Sequence, residues 1–336
     1  MKIKVEVCPG TLKQGYSTYS PVCIKKLFAG NKVSHILQYN DTERDEEVAE
    51  KFIENRKRIS ISGVQEKLSL LIEDNVLRLT NSEEQGSYIL KPIPRDLKKV
   101  DEVPANEHLT MQIAKQVFGI EVAENGLIFF KNGSPAYITR RFDVNSDGTK
   151  KGIEDFASLA GKSVDGGGSN FKYDYSYEEI GELIQKFIPA WRIEIEKFYS
   201  QVVFNYLFSN GDAHLKNFSI IETSIGDYKM SPAYDLINTQ IHVDDSDFAL
   251  SKGLFKDDYK SEVHKVFGHP NEEDFTEFGR RLGISSSRIK KLLEPYLTIN
   301  TDVEALVMNS FLSAGSKRGY LLSYKTKRNY LTKTQK

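Results

Sequence analysis

Hydrophobic and polar positions alternate in short runs through the first half of the chain. These runs are Ile59–Ser62, Lys67–Ile72, Val76–Leu79, Tyr88–Lys91, Gly126–Phe130 and Ala136–Arg140. Alternation with a period of two is typical of strands that bury one face, and short strands that follow each other closely favour antiparallel pairing. The pattern therefore predicts an antiparallel sheet of five or six strands.

One helical repeat interrupts these strands. Leu109, Ile113 and Val117 recur every four residues, Pro104 suits the first helical turn, and Gly119 suits a left-handed stop. A single helix beside a small sheet predicts a compact α+β lobe.

The second half of the chain has helical periodicity. One predicted helical face carries four apolar residues, Ile195, Phe198, Val202 and Tyr206. Thr301 and Glu304 have capping-box spacing, which predicts a helix from there to the vicinity of Gly315. The glycine-rich stretch 165–170 is expected to be a flexible loop.

These patterns divide the chain into three predicted segments. Residues 1–58 form a short amino-terminal segment with a helix candidate at Asp41–Asn55, residues 59–145 a sheet-rich lobe, and residues 146–336 a larger helical lobe. The stretch 317–336 has seven Lys or Arg residues and no acid. We expect it to be a solvated, frayed tail, with contact to RNA, DNA or an acidic partner as the alternative.

Composition narrows the class of protein. The chain has 336 residues, 39% of them hydrophobic, and a formal net charge of -1. No apolar run reaches the roughly 18 residues that span a membrane, and no signal-peptide pattern opens the chain, so we expect a cytoplasmic protein with no membrane contact. The near-zero charge predicts no direct specific nucleic-acid binding. Cys8 and Cys23 are predicted to be free thiols without a metal.

The segment around Asp212 carries the most informative spacing. Asp212 and Asn217 stand five residues apart, as in a kinase catalytic loop, where the Asp accepts the proton of the acceptor hydroxyl and the Asn binds magnesium. Asp235 follows as a lone acid between apolar neighbours, and a metal ion is the strongest partner for a buried carboxylate. Alone, the spacing is common and Asp235 could be a helix cap. Together, they favour a magnesium site.

Phosphoryl transfer also needs a cation for the phosphates. Lys91 ends an apolar strand, where its ammonium needs an anionic partner, and Glu107 in the following helix is the natural one. The alternative is a snorkelling lysine and a glutamate favoured by the helix dipole. The turn 62–67 would cover the nucleotide. A Walker A loop at Gly161 is excluded, because Phe156 stands where its first glycine must be.

Six motifs in order resemble the HipA family of bacterial kinase toxins. They are Ser60–Lys67, Ile89–Pro92, Asn106–Glu107, Arg140–Asp143, Gly211–Phe218 and Pro232–Leu236. The resemblance implies a bilobal protein-kinase-like α+β fold with a sheet-rich N-lobe and a helical C-lobe. It also implies ATP and Mg²⁺ as cofactors and phosphorylation of a serine or threonine on a protein, such as an aminoacyl-tRNA synthetase or another translation component.

The same resemblance implies roles for individual residues. Asp212 would be the catalytic base, Asn217 and Asp235 would bind the metal, and Lys91 would hold the α and β phosphates. Residues 140–142 would form the hinge whose backbone contacts adenine. The full ATP-binding set would be Ser62, Gly63, Val64, Gln65, Lys67, Lys91, Glu107, Arg140, Arg141, Phe142, Asp143, His214 and Lys216. We expect His214 to brace the loop and not to act as a base.

Regulation and partners are implied in the same way. The family autophosphorylates a serine before the glycine, for which this chain offers Ser60 and Ser62, and a phosphate there would pull the loop outward and stop catalysis. The alternative is that both serines only satisfy turn hydrogen bonds. A HipB-like DNA-binding antitoxin is the implied partner. Since residues 1–58 are short for the family, the chain resembles the HipT-like kinases, which implies a separate HipS-like small protein.

Two other functions remain open from the sequence. A kinase for a small molecule or a lipid headgroup would keep every catalytic residue and differ only in the acceptor groove. A degenerate kinase acting as a binding protein is opposed by the presence of Lys91, Asp212, Asn217 and Asp235 together.

Overall fold

The computed structural model describes residues 3–41, 66–94, 98–145 and 147–334. The chain folds into two compact units. Unit 1 contains Met1–Ile113, Ala123–Lys150 and Val303–Lys317, and unit 2 contains Ala114–Val122, Lys151–Asp302 and Arg318–Lys336. The strand predicted at 59–62, and all of the helix candidate at 41–55 except Asp41, lie outside the described residues. The domain boundaries predicted from the sequence stay a prediction.

The sheet of unit 1 has five antiparallel strands in the order β2-β1-β3-β5-β4. Their bounds are β1 Leu68–Glu73, β2 Val76–Leu79, β3 Tyr88–Lys91, β4 Asn125–Phe129 and β5 Pro135–Arg140. Asp74 and Asn75 join β1 to β2 with φ of 49° and 64°, the left-handed pair that suits the twist of a two-residue hairpin. The predicted sheet is confirmed, and β2 and β3 have the predicted bounds.

The core of unit 1 lies on the buried face of this sheet. Leu68, Leu70, Leu90 and Ile138 have no exposed surface, and burying one such side chain stabilises the fold by about 1.5–3 kcal/mol. In this region the described residues form helices α1 Pro21–Leu27 and α2 Val103–Gln116, with a 3-10 turn at Val100–Glu102. The predicted helix of the first half is therefore confirmed as α2.

Unit 2 is mostly helical and contains a three-stranded antiparallel sheet in the order β6-β7-β8. The strands are β6 Ile153–Asp155, β7 Ser219–Glu222 and β8 Tyr228–Met230. The remaining helices among the described residues are α3 Phe156–Leu159, α4 Val164–Gly167, α5 Tyr177–Phe187, α6 Trp191–Leu207, α7 Glu262–Phe267, α8 Glu272–Arg281, α9 Ser286–Leu297, α10 Thr301–Asn309 and α11 Ala314–Leu331. Three 3-10 turns lie at Gly168–Asn170, Leu215–Asn217 and Thr239–Ile241.

Helix α6 forms the centre of unit 2. Its predicted apolar face is confirmed, since Ile195, Phe198, Val202 and Tyr206 are all at most 1% exposed. Phe198 packs edge-on against Phe218, with ring centroids 5.4 Å apart. Because Phe218 follows the Asp212 loop directly in the chain, this contact ties that loop to the core.

Unit 1 also receives a late segment of the chain. The Ser313 hydroxyl donates to Glu102 Oε1 at 2.8 Å, and the Phe311 ring contacts Phe129 with centroids 5.7 Å apart. The Lys99 ammonium donates to the Ser316 hydroxyl at 3.2 Å. Unit 1 is therefore assembled from pieces of chain that are far apart in sequence.

Three local predictions differ from the structure. The glycine-rich stretch 165–170 forms two short helical turns in place of a loop, and the helix that starts at Thr301 ends at Asn309 and not near Gly315. The basic stretch 317–336 is not a frayed tail, because most of it belongs to α11. That helix buries three apolar residues on one face at spacings of four and seven, Tyr320, Tyr324 and Leu331. This apolar stripe outweighs the local charge.

None of the helices among the described residues combines the length and the apolar character needed to cross a bilayer.

Candidate active site

The loop that carries Asp212 starts directly after helix α6 and ends in the 3-10 turn Leu215–Asn217. The chain leaves the helix through Ser209, whose φ is 52°. The Asn217 side chain then folds back, and its Oδ1 accepts a hydrogen bond from the His214 backbone N–H at 3.1 Å. Asn217 therefore fixes the shape of the loop and keeps further lone-pair capacity on the same oxygen.

Asp212 is the exposed member of this loop. Its side chain is 52% exposed, whereas the His214 side chain is 8% exposed. The Tyr173 hydroxyl donates to Asp212 Oδ1 at 2.8 Å, and His214 Nε2 lies 3.8 Å from the same oxygen. In the part of the chain that the structure describes, no donor reaches Asp212 Oδ2. Oδ1 is thus fixed by a hydrogen bond, and Oδ2 is the open oxygen, to which none of the described residues donates.

Charge at this site is set by burial. Burial lowers the pKa of His214 to about 4, so the imidazole is neutral at pH 7. Burial, together with the nearby Asp212 charge, raises the pKa of Tyr173 above its ordinary value, so the phenol keeps its proton. His214 Nδ1 has no hydrogen-bond partner among the described residues. A neutral, buried imidazole fits the predicted bracing role.

Asp235 lies on a strained turn that is fixed to the same region. Its φ is 55°, a left-handed value that a non-glycine residue adopts only when its surroundings enforce it. The Tyr234 hydroxyl donates to the Lys216 carbonyl at 2.9 Å and contacts the Ser219 hydroxyl. The negative charge of Asp235 also acts on His214. The turn therefore holds the Asp235 carboxylate close to the loop that carries Asp212.

Asn217 and Asp235 supply the donor chemistry that magnesium requires. Mg²⁺ prefers oxygen ligands and takes one or two from protein, with water and substrate phosphate completing its shell. The Asn217 amide is held by the hydrogen bond to its Oδ1, and the Asp235 carboxylate is near enough for its charge to act on His214 in the same loop. Among the described residues, no group of three or more His, Cys, Asp and Glu side chains could hold a metal by itself. The two residues fit a metal that is shared with a nucleotide.

The predicted ion pair of unit 1 is confirmed. Lys91 Nζ lies 2.6 Å from Glu107 Oε1, and each side chain is only 4% exposed. The ammonium also lies 5.2 Å from the centre of the Tyr137 ring, within the range of a cation–π contact. The pair is positioned by the end of strand β3 and by the first turns of α2. Lys91 is therefore a buried, preoriented cation and not a snorkelling surface lysine.

Other predicted site residues have protein partners. Lys216 Nζ lies 2.7 Å from Asp155 Oδ2, and Arg141 Nε donates to Asp143 Oδ1 at 3.0 Å. Burial alone would raise the pKa of Asp143, but the hydrogen bond and charge of Arg141, a backbone hydrogen bond and the charge of Lys150 together lower it.

Of the remaining predicted residues, some are described by the structure and some are not. Arg140 Nη1 donates to the Lys26 carbonyl at 3.4 Å, and Lys67 and Phe142 are half-buried. Five predicted residues, Ser60, Ser62, Gly63, Val64 and Gln65, lie outside the described residues.

Sequence reasoning missed Tyr173, Asp155 and Tyr234 as members of the site. Tyr173 stands 39 residues before Asp212, and Asp155 stands 61 residues before Lys216. Neither distance matches a helical or strand period, so no local signal marks them. The Tyr234 hydroxyl could have been suspected, because it adjoins Asp235 in sequence.

The two cysteines lie in unit 1 and are free, as predicted. Cys8 is fully buried, and its sulfur accepts from the Ser20 backbone N–H at 3.1 Å. A hydrogen bond from Cys23 is the largest influence on the thiol and, against the effect of burial, lowers the pKa of Cys8 to about 4.

Two solved structures share this fold. One is the Shewanella oneidensis MR-1 complex of HipA, HipB and operator DNA, with a TM-score of 0.60 and 21% identity over 84% of this chain and 68% of that one. The other is the Helicobacter pylori proinflammatory kinase CtkA, with a TM-score of 0.51 and 17% identity over 78% of this chain and 90% of that one. The chain therefore has the predicted α+β fold of HipA-type kinases.

Curated relatives agree with this likeness. A Haemophilus influenzae protein named "Putative kinase" is 29% identical over 77% of this chain and 78% of its own length. The Shewanella oneidensis serine/threonine-protein kinase toxin HipA is 27% identical over 57% of this chain. That match covers 46% of the toxin's own length, a little under half. Residues 59–303 match the HipA-like C-terminal domain family, and the chain belongs to that family.

Proposed function

We propose that the chain is an ATP-dependent kinase that transfers the γ-phosphoryl group to a serine or threonine of a protein. The observation that carries this proposal is the loop in which Asp212 is exposed with one open carboxylate oxygen, while the rest of the loop is buried and hydrogen-bonded. A general base must reach its substrate proton, and its surroundings must hold it still. Asp212 meets both requirements.

In this proposal Asp212 Oδ2 accepts the proton of the acceptor hydroxyl. The hydroxyl oxygen forms a bond to the γ-phosphorus, the bond to the bridging oxygen breaks, and its electron pair leaves with ADP. Lys91 neutralises phosphate charge, and Glu107 keeps its ammonium oriented. Bound magnesium supplies further charge neutralisation at the phosphates, with Asn217 and Asp235 as its protein ligands. The backbone of residues 140–142 would contact the adenine.

The finer assignments extend the same proposal. Ser60 or Ser62 would be the autophosphorylated residue, a HipB-like DNA-binding protein would be the antitoxin, and a HipS-like small protein would be a further partner. The target would be a component of translation, such as an aminoacyl-tRNA synthetase. The likeness to a HipA that was solved with HipB and operator DNA supports the antitoxin proposal.

The first experiment is intact-mass spectrometry of the purified chain after incubation with Mg²⁺ and ATP. We expect a gain of about 80 Da per phosphate, mapped to Ser60 or Ser62. Asp212→Asn should abolish the gain, because general-base catalysis contributes about 10²–10⁴-fold. Asp258→Asn makes the same chemical change at an exposed aspartate and should leave the gain intact.

Two outcomes would overturn the proposal. Phosphate on a soluble acceptor but never on protein would identify a small-molecule or lipid-headgroup kinase. ATP binding without any phosphate transfer, in protein that starts unphosphorylated, would identify a degenerate kinase that acts as a binding protein. A separate outcome concerns the base alone: equal phosphorylation of the unaltered chain and of Asp212→Asn would show that Asp212 is not the catalytic base.

A further inference from the structure

We propose that Tyr173 is the positioning residue of the catalytic base, and that it aims the open oxygen of Asp212 at the acceptor hydroxyl. This inference rests on the proposed function, because it needs Asp212 to act as the base. The contact that carries it is the hydrogen bond from the Tyr173 hydroxyl to Asp212 Oδ1 at 2.8 Å.

Asp212 needs such a partner because packing holds little of its side chain. Half of that side chain is exposed, so the carboxylate could otherwise rotate among several staggered conformations. A donor on Oδ1 selects one of them and turns Oδ2 outward. His214 is too distant to share this task, since its Nε2 lies 3.8 Å from Oδ1, beyond a hydrogen bond.

Tyr173 is itself fixed to the loop that it orients. The Leu215 backbone N–H donates to the Lys172 carbonyl at 3.1 Å, and the Ser251 backbone N–H donates to the Tyr173 carbonyl at 2.8 Å. The Tyr173 ring packs edge-on against His214, with centroids 5.2 Å apart. The phenol and the carboxylate therefore belong to one hydrogen-bonded unit, and the distance between them does not depend on a mobile surface side chain.

The phenol is suited to this task because it donates a hydrogen bond to Asp212 and does not compete with Asp212 for the proton of the acceptor hydroxyl. It is neutral at the pH at which the carboxylate is charged, since burial and the Asp212 charge both raise its pKa. A hydrogen bond to a charged acceptor is stronger than one between neutral groups. The acceptor proton passes to Oδ2, the oxygen that Tyr173 leaves open.

The test is Tyr173→Phe, which removes the hydroxyl and keeps the ring that packs on His214. We expect kcat to fall about tenfold, with unchanged KM and dissociation constant for ATP and an unchanged unfolding midpoint. Tyr175→Phe is the matched control, because it removes a hydroxyl from the same segment. No hydrogen bond of the Tyr175 hydroxyl occurs among the described residues.

A double variant separates positioning from a structural role. In an Asp212→Asn background, Tyr173→Phe should have no further effect on the residual rate, because there is no base left to orient. A full tenfold loss in that background would overturn the inference, and so would a Tyr173→Phe variant as active as Tyr175→Phe. If the unaltered chain binds ATP and transfers no phosphate, the proposed function fails and this inference fails with it. A normal rate in Tyr173→Phe, beside an inactive Asp212→Asn, overturns the inference alone.

Discussion

Glu107 in unit 1 and Asp212 in unit 2 are carboxylates with opposite surroundings. Glu107 is 4% exposed and pairs with the equally buried Lys91, whereas Asp212 is half exposed and is held through one oxygen by a neutral phenol. A buried charge must keep its partner, because removing one member of such a pair leaves the other uncompensated. An exposed carboxylate is solvated by water, so removing it leaves no buried charge without a partner.

This difference separates stability from activity. The Lys91–Glu107 pair fixes a cation inside the structure before any substrate arrives, and removing one partner alone should destabilise the protein as well as inactivate it. In the proposed function Asp212 acts only in the reaction, and since its side chain is half exposed, its loss should spare the fold.

The largest effect is expected from breaking the buried pair. Glu107→Leu should lower the free energy of unfolding by about 3–5 kcal/mol, because Lys91 loses this partner in a buried site. The double variant Lys91→Met with Glu107→Leu should recover most of the stability and remain without kinase activity. Urea denaturation measures the first expectation, and phosphate transfer measures the second.

The matched comparison is Asp212→Asn, which should unfold at the same urea concentration as the unaltered chain. If Asp212→Asn were destabilised as strongly as Glu107→Leu, the contrast between the two carboxylates would be wrong.

A smaller effect is expected from His108, which follows Glu107 in α2. It is 1% exposed, its Nε2 lies 3.2 Å from the Gly10 carbonyl, and burial lowers its pKa to about 4. Since the unfolded chain binds this proton near pH 6.5 and the folded chain does so only near pH 4, the stabilisation is complete above pH 6.5. It is lost progressively as the pH falls to 4, by up to about 3 kcal/mol.

The check is the pH dependence of unfolding for the unaltered chain and for His108→Gln, whose amide can still donate to the Gly10 carbonyl. Between pH 7 and pH 4.5 the free energy of unfolding should fall less for His108→Gln than for the unaltered chain. Parallel curves would show that His108 does not make this contribution.

The smallest effect concerns crowding beside Asp212. A Cβ added at Gly211 would lie 2.5 Å from the Cβ of Asp245 and under 3 Å from two further atoms of that side chain. Because the Cβ of Asp245 cannot rotate away from this contact, the backbone at position 211 or 245 has to shift, and Gly211→Ala should cost about 1–2 kcal/mol.

Asp245→Gly removes all three atoms and should rescue most of that loss in a double-mutant cycle. Independent, additive effects of the two substitutions would show that the crowding does not matter.

Local periodicity predicted much of this fold. Strands β2 and β3 and the buried face of α6 follow from patterns within a few residues of one another. The Lys91–Glu107 pair was predictable, since a lysine at the end of an apolar strand needs an anion. The bonds from Tyr173 to Asp212 and from Lys216 to Asp155 join distant parts of the chain, and no period encodes them. Strands β6 and β8 have three residues each, too few to show alternation.

The late segment of unit 1 has a consequence for synthesis. Residues Val303–Lys317 belong to this unit together with residues made far earlier, and Ser313 bonds to Glu102 across more than two hundred positions. At about 5–20 residues per second, translation of residues 151–302 takes roughly 8–30 s. During that time the ribosome holds a nascent unit 1 without its last segment. Full assembly of the part that carries Lys91 therefore waits until nearly the whole chain has been translated.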